Sequence, residues 1–259
     1  MAHQKHYYFL SDAHLGVPDR EQSLGREKKL VKWLEEVSPT AEAIFLLGDI
    51  FDFWFEYRHV VPRGFVRLFG TIAKITDSGT PVHFFTGNHD LWVRDYFQKE
   101  LGMTVHHGGI STELNGKSFF IHHGDGLGKG DYGYKFLKKV FHCKLCQWMF
   151  ARLHPNFAID LARLSSRRSR MAHAEDDEKF LGEENEYLAQ WAREKLQKKH
   201  YDYFIFGHRH LPLKIKVGEN STYFNLGEWF KRFTYGVYDG VSFKLQYFER
   251  EGNPAVNKE

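Results

Sequence analysis

Short apolar runs that end abruptly in Asp, Asn or His recur five times along this 259-residue chain. An apolar run of about four to six residues beside a turn residue is typical of a buried strand. We therefore expect the polar side chains after these runs to meet at one edge of a sheet. The runs lead into Ser11-Asp12-Ala13-His14, Gly48-Asp49, Gly87-Asn88-His89-Asp90, His122-His123-Gly124-Asp125 and Gly207-His208-Arg209-His210.

Between these runs, helical and strand periodicities alternate. Amphipathic spacing predicts helices over 22–37, 65–76 and 91–101, and alternation or apolar runs predict strands over 7–10, 43–47, 81–86, 104–113 and 117–121. Further strands are predicted over 203–206, 213–217, 222–225, 234–238 and 241–248, and Asp239-Gly240 indicates a hairpin. The pattern favours an α/β fold.

Residues 126–199 interrupt this alternation with a helical pattern. We interpret them as an inserted basic helical cap, with 1–125 and 200–250 forming one discontinuous domain and 251–259 a flexible tail. Residues 126–174 contain ten Lys or Arg against two Asp, a local balance of +8, whereas the chain as a whole carries +3. The remainder therefore sums to −5, and the basic segment predicts an anionic partner.

Composition excludes several classes of protein. Hydrophobic residues make up 42% and aromatic residues 17%, which is incompatible with a disordered chain. No apolar run reaches the roughly 18 to 20 residues that cross a bilayer, and the first residues lack a signal-peptide core, so we expect a cytoplasmic protein. Cys143 and Cys146 are interpreted as small packing residues, with redox or metal chemistry as the alternative.

Seven of the side chains after the apolar runs are potential metal ligands. Imidazole, carboxylate and amide donors without thiolates suit Mn²⁺, Fe²⁺ or Zn²⁺ better than Ca²⁺. Seven ligands are too many for one ion, but with one bridging carboxylate they would hold two ions about 3.5 to 4 Å apart, as in two-metal phosphoesterases. A single Asp or His of this kind is more often a turn or core residue, so the prediction rests on the whole set. The candidate ligands are Asp12, His14, Asp49, Asn88, His123, His208 and His210.

The order of these motifs resembles the calcineurin-like metallophosphoesterase superfamily over nearly the whole chain. The resemblance implies a four-layer α/β/β/α sandwich with the helical cap inserted in it. It implies one metal held by Asp12, His14, Asp49 and His210, and a second held by Asp49, Asn88, His123 and His208. Two divalent ions are expected, with Mn²⁺ preferred and Fe²⁺ or Zn²⁺ as alternatives.

Three motifs narrow this resemblance: Ser11-Asp12-x-His14-Leu15-Gly16, Gly48-Asp49-x-Phe51-Asp52-x-Trp54, and His123-Gly124-Asp125 followed by Asp131 and Tyr134. With these motifs the chain looks most like the UDP-2,3-diacylglucosamine diphosphatases of lipid A biosynthesis. This resemblance implies a UDP-linked acylated sugar substrate, hydrolysed to UMP and 2,3-diacylglucosamine 1-phosphate (lipid X). It places Asp131 and Tyr134 near the nucleotide and the acyl chains in the cap. Two positions depart from that family, which commonly has Arg where this chain has His89 and Thr where it has Arg209. Further candidate substrate contacts are Asn88, His89, Arg167, Arg168 and Arg170.

Two candidate catalytic residues follow Asn88. We expect His89 to stabilise phosphoryl charge or protonate the leaving oxygen, and Asp90 either to orient that imidazole or to cap a helix beginning at Leu91. The aromatic residues at 50–55 could form a hydrophobic plug or a pocket wall.

The cap stripe could likewise bind acyl chains and an anionic membrane surface, or only pack on the sandwich. Alternatives to the lipid substrate are another nucleotide, a phosphodiester or a phosphoprotein, or a non-catalytic interaction module. No nucleic-acid partner is expected, and the sequence makes no prediction of oligomeric state.

Overall fold

The computed structural model describes residues 5–128, 138–141, 143–162, 164, 180 and 182–248. These residues form eleven strands. In chain order the strands are β1 (His6–Leu10), β2 (Ala41–Leu46), β3 (Val82–Phe85), β4 (Thr104–His106), β5 (Ile110–Leu114), β6 (Lys117–Ile121), β7 (Tyr203–Phe206), β8 (Pro212–Gly218), β9 (Ser221–Leu226), β10 (Thr234–Tyr238) and β11 (Phe243–Tyr247).

The strands form two sheets. The first has the order β11-β10-β1-β2-β3-β4, with β1 to β4 parallel and the β10–β11 hairpin antiparallel at one side. The second has the order β5-β6-β7-β9-β8, with β6, β7 and β9 parallel at its centre. Since side chains alternate across a strand, both faces of each sheet can be buried.

The described residues also form helices. They are α1 (Arg20–Val37), α2 (Val66–Asp77), α3 (Tyr96–Leu101), α4 (Lys144–Phe150) and α5 (Tyr187–Leu196), with a 3₁₀ turn at Ser38–Thr40. Residues 138–141 and 155–162 are also helical. Helix α1 begins at Arg20 because the Asp19 carboxylate accepts a hydrogen bond from the Gln22 N–H.

Three apolar cores separate the layers. Trp33, Leu68 and Phe97 pack between helices α1 to α3 and the first sheet. Phe9 and Phe45 stack between the two sheets with their ring centroids 4.7 Å apart. A third core joins the second sheet to α5 through its Leu188, Ala189 and Ala192. The order is therefore helix, sheet, sheet, helix, which confirms the predicted four-layer α/β/β/α sandwich.

Several predicted elements differ from the structure. The predicted helix 91–101 is wrong in its first half, because α3 begins only at Tyr96 after the cap residue Asp95. The predicted strand 104–113 is two strands in different sheets, separated at Gly108 and Gly109. Near the end of the predicted helical segment 126–199, helix α5 spans only Tyr187–Leu196.

The described part of the predicted cap contacts the sandwich through aromatic side chains. Phe150 lies 4.8 Å from Phe55 and 5.0 Å from Trp92 between ring centroids, and the Trp92 Nε1–H donates to the Phe141 carbonyl at 2.8 Å. Other apolar side chains of this segment remain exposed. We call them the apolar cap face: Leu145, Trp148, Met149, Leu153, Phe157 and Leu161.

The division into a discontinuous domain and an inserted cap stays a prediction. Among the described residues, none of the helices is both long and apolar enough to span a bilayer.

Candidate metal centre

Five strands, from both sheets, end at the same edge of the sandwich. Asp12, Asp49 and Asn88 follow β1, β2 and β3 of the first sheet, whereas His123 and His208 follow β6 and β7 of the second. The prediction of one edge of a single sheet was therefore wrong. The sandwich brings the ends of two sheets together, and all seven predicted ligands lie on the loops at this edge.

One group of potential ligands consists of Asp12, His14 and His210, whose ligand atoms all lie within 4.8 Å of one another. His210 Nε2 is 3.2 Å from Asp12 Oδ1 and 3.2 Å from His14 Nε2. Asp12 and His14 are buried, and His210 is partly exposed. Two ring nitrogens and a carboxylate oxygen that converge in this way could hold a divalent ion.

A second group consists of Asp49, His123 and His208, again within 4.8 Å. His123 Nε2 lies 3.4 Å from Asp49 Oδ2 and 3.2 Å from Asn88 Oδ1, so Asn88 joins this group. Asp49 Oδ2 also lies 3.9 Å from His14 Nε2. The Asp49 carboxylate is therefore placed between the two groups.

Two glycines permit this close approach. A Cβ atom on Gly87 would lie 2.2 Å from Asp49 Oδ1, and one on Gly207 would lie 2.6 Å from Asp12 Oδ2. Real Cβ atoms do not approach other atoms so closely, so any side chain here would displace a carboxylate.

The loops at this edge hold non-glycine residues in the left-handed region. A left-handed backbone conformation at a non-glycine residue costs about 1 to 3 kcal/mol. It persists only where surrounding contacts impose it. Asp12 has φ +54°, His14 +41°, Asp49 +51°, His208 +72° and His210 +52°. Backbone hydrogen bonds from the Asp12 N–H to Gly48 O and from the His14 N–H to Asp49 O join the first two loops.

The donor atoms fit a divalent metal. Asp12 Oδ1 is buried and accepts no hydrogen bond with good geometry from any described residue. A buried carboxylate oxygen without a donor costs free energy unless a cation neutralises it. Carboxylate, amide and imidazole ligands suit Mn²⁺, Fe²⁺ or Zn²⁺.

Burial and neighbouring charges shift the pKa values of two of the histidines in opposite directions. Burial opposes protonation of His123, but the Asp49 carboxylate outweighs it and raises the pKa of His123 to about 10. Burial together with the neighbouring His123 lowers the pKa of His208 to about 4. Since a metal ion binds the deprotonated imidazole, metal binding at His123 would compete with its protonation.

His123 and His89 each have one ring nitrogen against a backbone carbonyl. His123 Nδ1 lies 2.7 Å from Leu47 O, and His89 Nδ1 lies 3.0 Å from Asp52 O. A carbonyl can only accept, so each Nδ1 carries the proton and each Nε2 is directed to the site. His89 Nε2 lies 4.0 Å from Asp49 Oδ2.

Asp90 has neither of the two predicted roles. Its carboxylate accepts hydrogen bonds from the backbone N–H groups of Gly87, Asp49, Ile50 and Phe51 at 2.7 to 3.3 Å, and α3 begins well after it. Burial and the Asp49 carboxylate raise the pKa of Asp90 to about 7 despite these donors. Through these hydrogen bonds, the Asp90 carboxylate holds the loop after β3 against the loop after β2.

Three residues near this edge were not predicted as site residues. Asp52 is buried, with Oδ1 3.7 Å from His14 Nδ1 and 3.8 Å from His89 Nδ1. Phe230 lies edge-on to His14 and His210, and Arg232 donates to the His210 carbonyl at 2.9 Å. Asp52 could have been suspected, since it follows Asp49 by three residues, but the loop at 229–233 has no apolar run ending in a ligand.

The aromatic segment at 50–55 fits the predicted hydrophobic plug in part, and the pocket wall stays a prediction. Phe51 and Trp54 are buried in the first core, as a plug would be, whereas Phe53 is half-buried and contacts Phe150. Together with Asp52 and Ile159, Phe53 lines a small cavity beneath the cap. The other predicted substrate contacts, Asp131, Tyr134, Arg167, Arg168 and Arg170, lie outside the described residues.

Comparison with known proteins identifies similar sequences. A family model described as calcineurin-like phosphoesterase matches residues 5–212. A UDP-2,3-diacylglucosamine hydrolase of Porphyromonas gingivalis is 40% identical over 93% of this chain and 97% of its own length. Proteins of the same name from Edwardsiella ictaluri and Aeromonas salmonicida are 31% and 27% identical, over 64% and 86% of this chain and 63% and 86% of their own lengths.

Proposed function

The chain belongs to the calcineurin-like phosphoesterase family, and from that premise we propose that it is a hydrolase of UDP-2,3-diacylglucosamine. The predicted resemblance to this family is confirmed by the match over residues 5–212. The products would be UMP and 2,3-diacylglucosamine 1-phosphate (lipid X). The observation that carries the proposal is the pair of ligand groups on either side of Asp49, combined with 40% identity over nearly the full length of a relative of that name.

We assign the ligands to two ions. Asp12, His14, Asp49 and His210 would hold one, and Asp49, Asn88, His123 and His208 the other, with Asp49 shared. Two divalent cations, Mn²⁺ in our proposal, supply Lewis acidity that lowers the pKa of a water molecule and neutralises charge on phosphoryl oxygens. This division draws on the groups of converging atoms around Asp12, His210 and Asp49; His89 also converges with His14 and Asp49, and we assign it to the substrate side.

His89 is proposed to act on the phosphoryl group or on its leaving oxygen. Its Nδ1 proton is directed to the Asp52 carbonyl, so Nε2 faces the site, where it could accept a proton and, once protonated, donate it to the leaving oxygen. The side chain of His89 is 15% exposed, more than that of Asp49 at 2%, as expected of a group that must reach a substrate. Asp52, close to both His14 and His89, would keep the two imidazole rings in place.

The remaining contacts concern the rest of the substrate. We propose that Asn88 and His89 contact the diphosphate, that Asp131 and Tyr134 contact the nucleotide, and that the cap arginines attract phosphate. Those arginines are Arg167, Arg168 and Arg170.

The apolar cap face is proposed to bind acyl chains and to bring the protein to a membrane. Leu145 is 63% exposed, Trp148 54% and Phe157 60%, which is unusual for a cluster of large apolar side chains. Each buried CH₂ of an acyl chain contributes roughly 0.8 kcal/mol. A basic segment beside this face would favour anionic headgroups. The protein would then act in the cytoplasm, at the inner membrane surface.

The decisive experiment supplies the purified, Mn²⁺-loaded protein with UDP-2,3-diacylglucosamine in mixed micelles and measures release of UMP. Formation of UMP with lipid X is the expected result. No release, together with turnover of soluble nucleotides or phosphodiesters that is insensitive to detergent, would contradict the lipid substrate and favour another phosphoesterase activity. EDTA should abolish whichever activity is found.

A further inference from the structure

Arg209 lies between the two histidines of the loop after β7. Its guanidinium, however, is buried against Glu186 and Tyr187 rather than among the metal ligands. Arg209 is 8% exposed and Glu186 only 3% exposed, and Arg209 Nε lies 3.2 Å from Glu186 Oε2. The guanidinium also lies over the ring of Tyr187, 5.8 Å from its centroid. An ion pair so well removed from water is a poor source of stability compared with apolar side chains of similar volume.

The pair belongs to a network that reaches the backbone of the same loop. The Tyr223 hydroxyl donates to Glu186 Oε1 at 3.5 Å, and Asn225 Nδ2 lies 3.4 Å from that hydroxyl. Asn225 Nδ2 also donates to the carbonyl of Gly207, the residue before His208. Tyr223 and Asn225 are fully buried on β9, so they give this network a rigid base.

The loop needs such support because of its conformation. His208 and His210, on either side of Arg209, have φ +72° and +52°. The Arg209 N–H closes a tight turn onto Gly207 O at 2.9 Å. A left-handed backbone at non-glycine residues persists only where surrounding contacts impose it.

This loop also serves both groups of ligands. His210 belongs to the group of Asp12 and His14, whereas His208 belongs to the group of Asp49 and His123. A displacement of the loop would therefore disturb both proposed metal sites together, unlike a change at His14 or Asn88.

We propose that Glu186 and Arg209 are positioning residues that hold the loop 207–210 so that His208 and His210 face the two metal sites. Because Glu186 directly precedes α5, the pair also connects the loop to the end of the segment predicted to be the cap. The inference rests on the dinuclear site of the proposed function, but not on the lipid substrate.

The test replaces the pair in two ways. Glu186→Gln removes the negative charge beside the guanidinium, whereas the double variant Glu186→Met with Arg209→Met removes both charges and keeps apolar volume. Lys117→Gln is the matched control, since Lys117 pairs with Asp202 at 3.0 Å at the opposite ends of β6 and β7. Mn²⁺ binding is measured by calorimetry, the coupling of the two ions by electron paramagnetic resonance, and thermal unfolding on EDTA-treated protein.

In the double variant we expect metal-free thermal unfolding to match the wild type, while both Mn²⁺ dissociation constants rise about 10- to 100-fold. The spectrum of coupled Mn²⁺ should give way to that of isolated ions at equal loading. Glu186→Gln should show the same loss of affinity, and Lys117→Gln should bind Mn²⁺ as the wild type does.

Two outcomes would overturn the inference. One is a stable double variant with wild-type Mn²⁺ affinity, and the other is a double variant that unfolds without metal, which would make the pair a requirement of folding. A wild-type protein that binds two Mn²⁺ but releases no UMP would count only against the proposed substrate, because Mn²⁺ affinity is the readout here.

Discussion

The edge of the sandwich that carries the proposed metal ligands and the apolar cap face differ in which side chains they expose to solvent. At the edge, the charged side chains of Asp12, Asp49 and Asp90 are buried. On the cap face, Leu145 and Trp148 are more than half exposed. A buried charged group costs free energy whenever its partner is displaced. A large exposed apolar patch is instead typical of a surface that binds another molecule.

The difference separates two tasks of the proposed enzyme. Chemistry at phosphorus needs fixed ligands, and the edge supplies them through left-handed turns, glycines and buried hydrogen bonds. Recruitment of an acylated substrate needs apolar area rather than exact positions. Substitutions at the edge should therefore affect all substrates, and substitutions on the cap face only acylated ones.

Asp49→Asn should have the largest effect, because Asp49 lies between both ligand groups. We expect metal content to fall and turnover of every phosphate substrate to drop by at least about 1000-fold, the loss of several kcal/mol of charge stabilisation. Metal analysis and kcat on a chromogenic phosphodiester measure this. Asp202→Asn is the control, because Asp202 directly precedes β7 and lies at the end of that strand away from the ligands. If the Asp49→Asn variant were active and bound its metal ions, Asp49 would not be the ligand that the two metal sites share.

His89→Ala should distinguish the residues that bind metal from those that transfer protons. His89 lies outside both proposed ligand sets, so we expect both metals to remain and kcat to fall about 100- to 10,000-fold. Asp52→Asn should lower kcat by a smaller factor, about 10-fold or more, since it acts through two imidazoles. Loss of a metal ion from His89→Ala would mean that His89 is a ligand.

Leu145→Ser combined with Trp148→Ser and Phe157→Ser tests the cap face. We expect kcat/KM for the diacylated substrate to fall about 10- to 100-fold through lost apolar burial, with no change for a small phosphodiester. Val241→Ser provides a matched control, because Val241 is 73% exposed on the β10–β11 hairpin, away from the cap. Equal losses on both substrates would show that the face packs or folds the protein rather than binding lipid.

The smallest expected effect is on stability, and it concerns His83, which lies neither among the proposed metal ligands nor on the apolar cap face. Burial, aided by the neighbouring His106, lowers the pKa of His83 to about 4, below its usual 6.5. The unfolded chain thus binds a proton between pH 6.5 and 4 that the folded chain does not, so the folded state loses stability as pH falls through this window. His83→Gln should flatten this decline in denaturant unfolding of metal-free protein. An unchanged slope would place the sensitivity elsewhere.

Local pattern was sufficient for much of the fold. Strands β6, β7 and β10 have the predicted bounds, and the hairpin at Asp239-Gly240 forms as expected. These elements follow from apolar runs and turn residues, whose preferences act over a few positions. For the same reason all seven ligand candidates could be named, since each lies within four residues of the end of such a run.

Contacts between distant residues decided the rest. Helix α3 starts at Tyr96 because the Glu56 carboxylate accepts hydrogen bonds from the N–H groups of Arg94, Asp95 and Tyr96, about forty residues away. The sequence by itself determined which side chains end the strands. Only the tertiary packing of neighbouring loops, and of α5 against the second sheet, decided that Asp52, Asp90 and the Glu186–Arg209 pair would support them, because those roles depend on distances that no local pattern encodes.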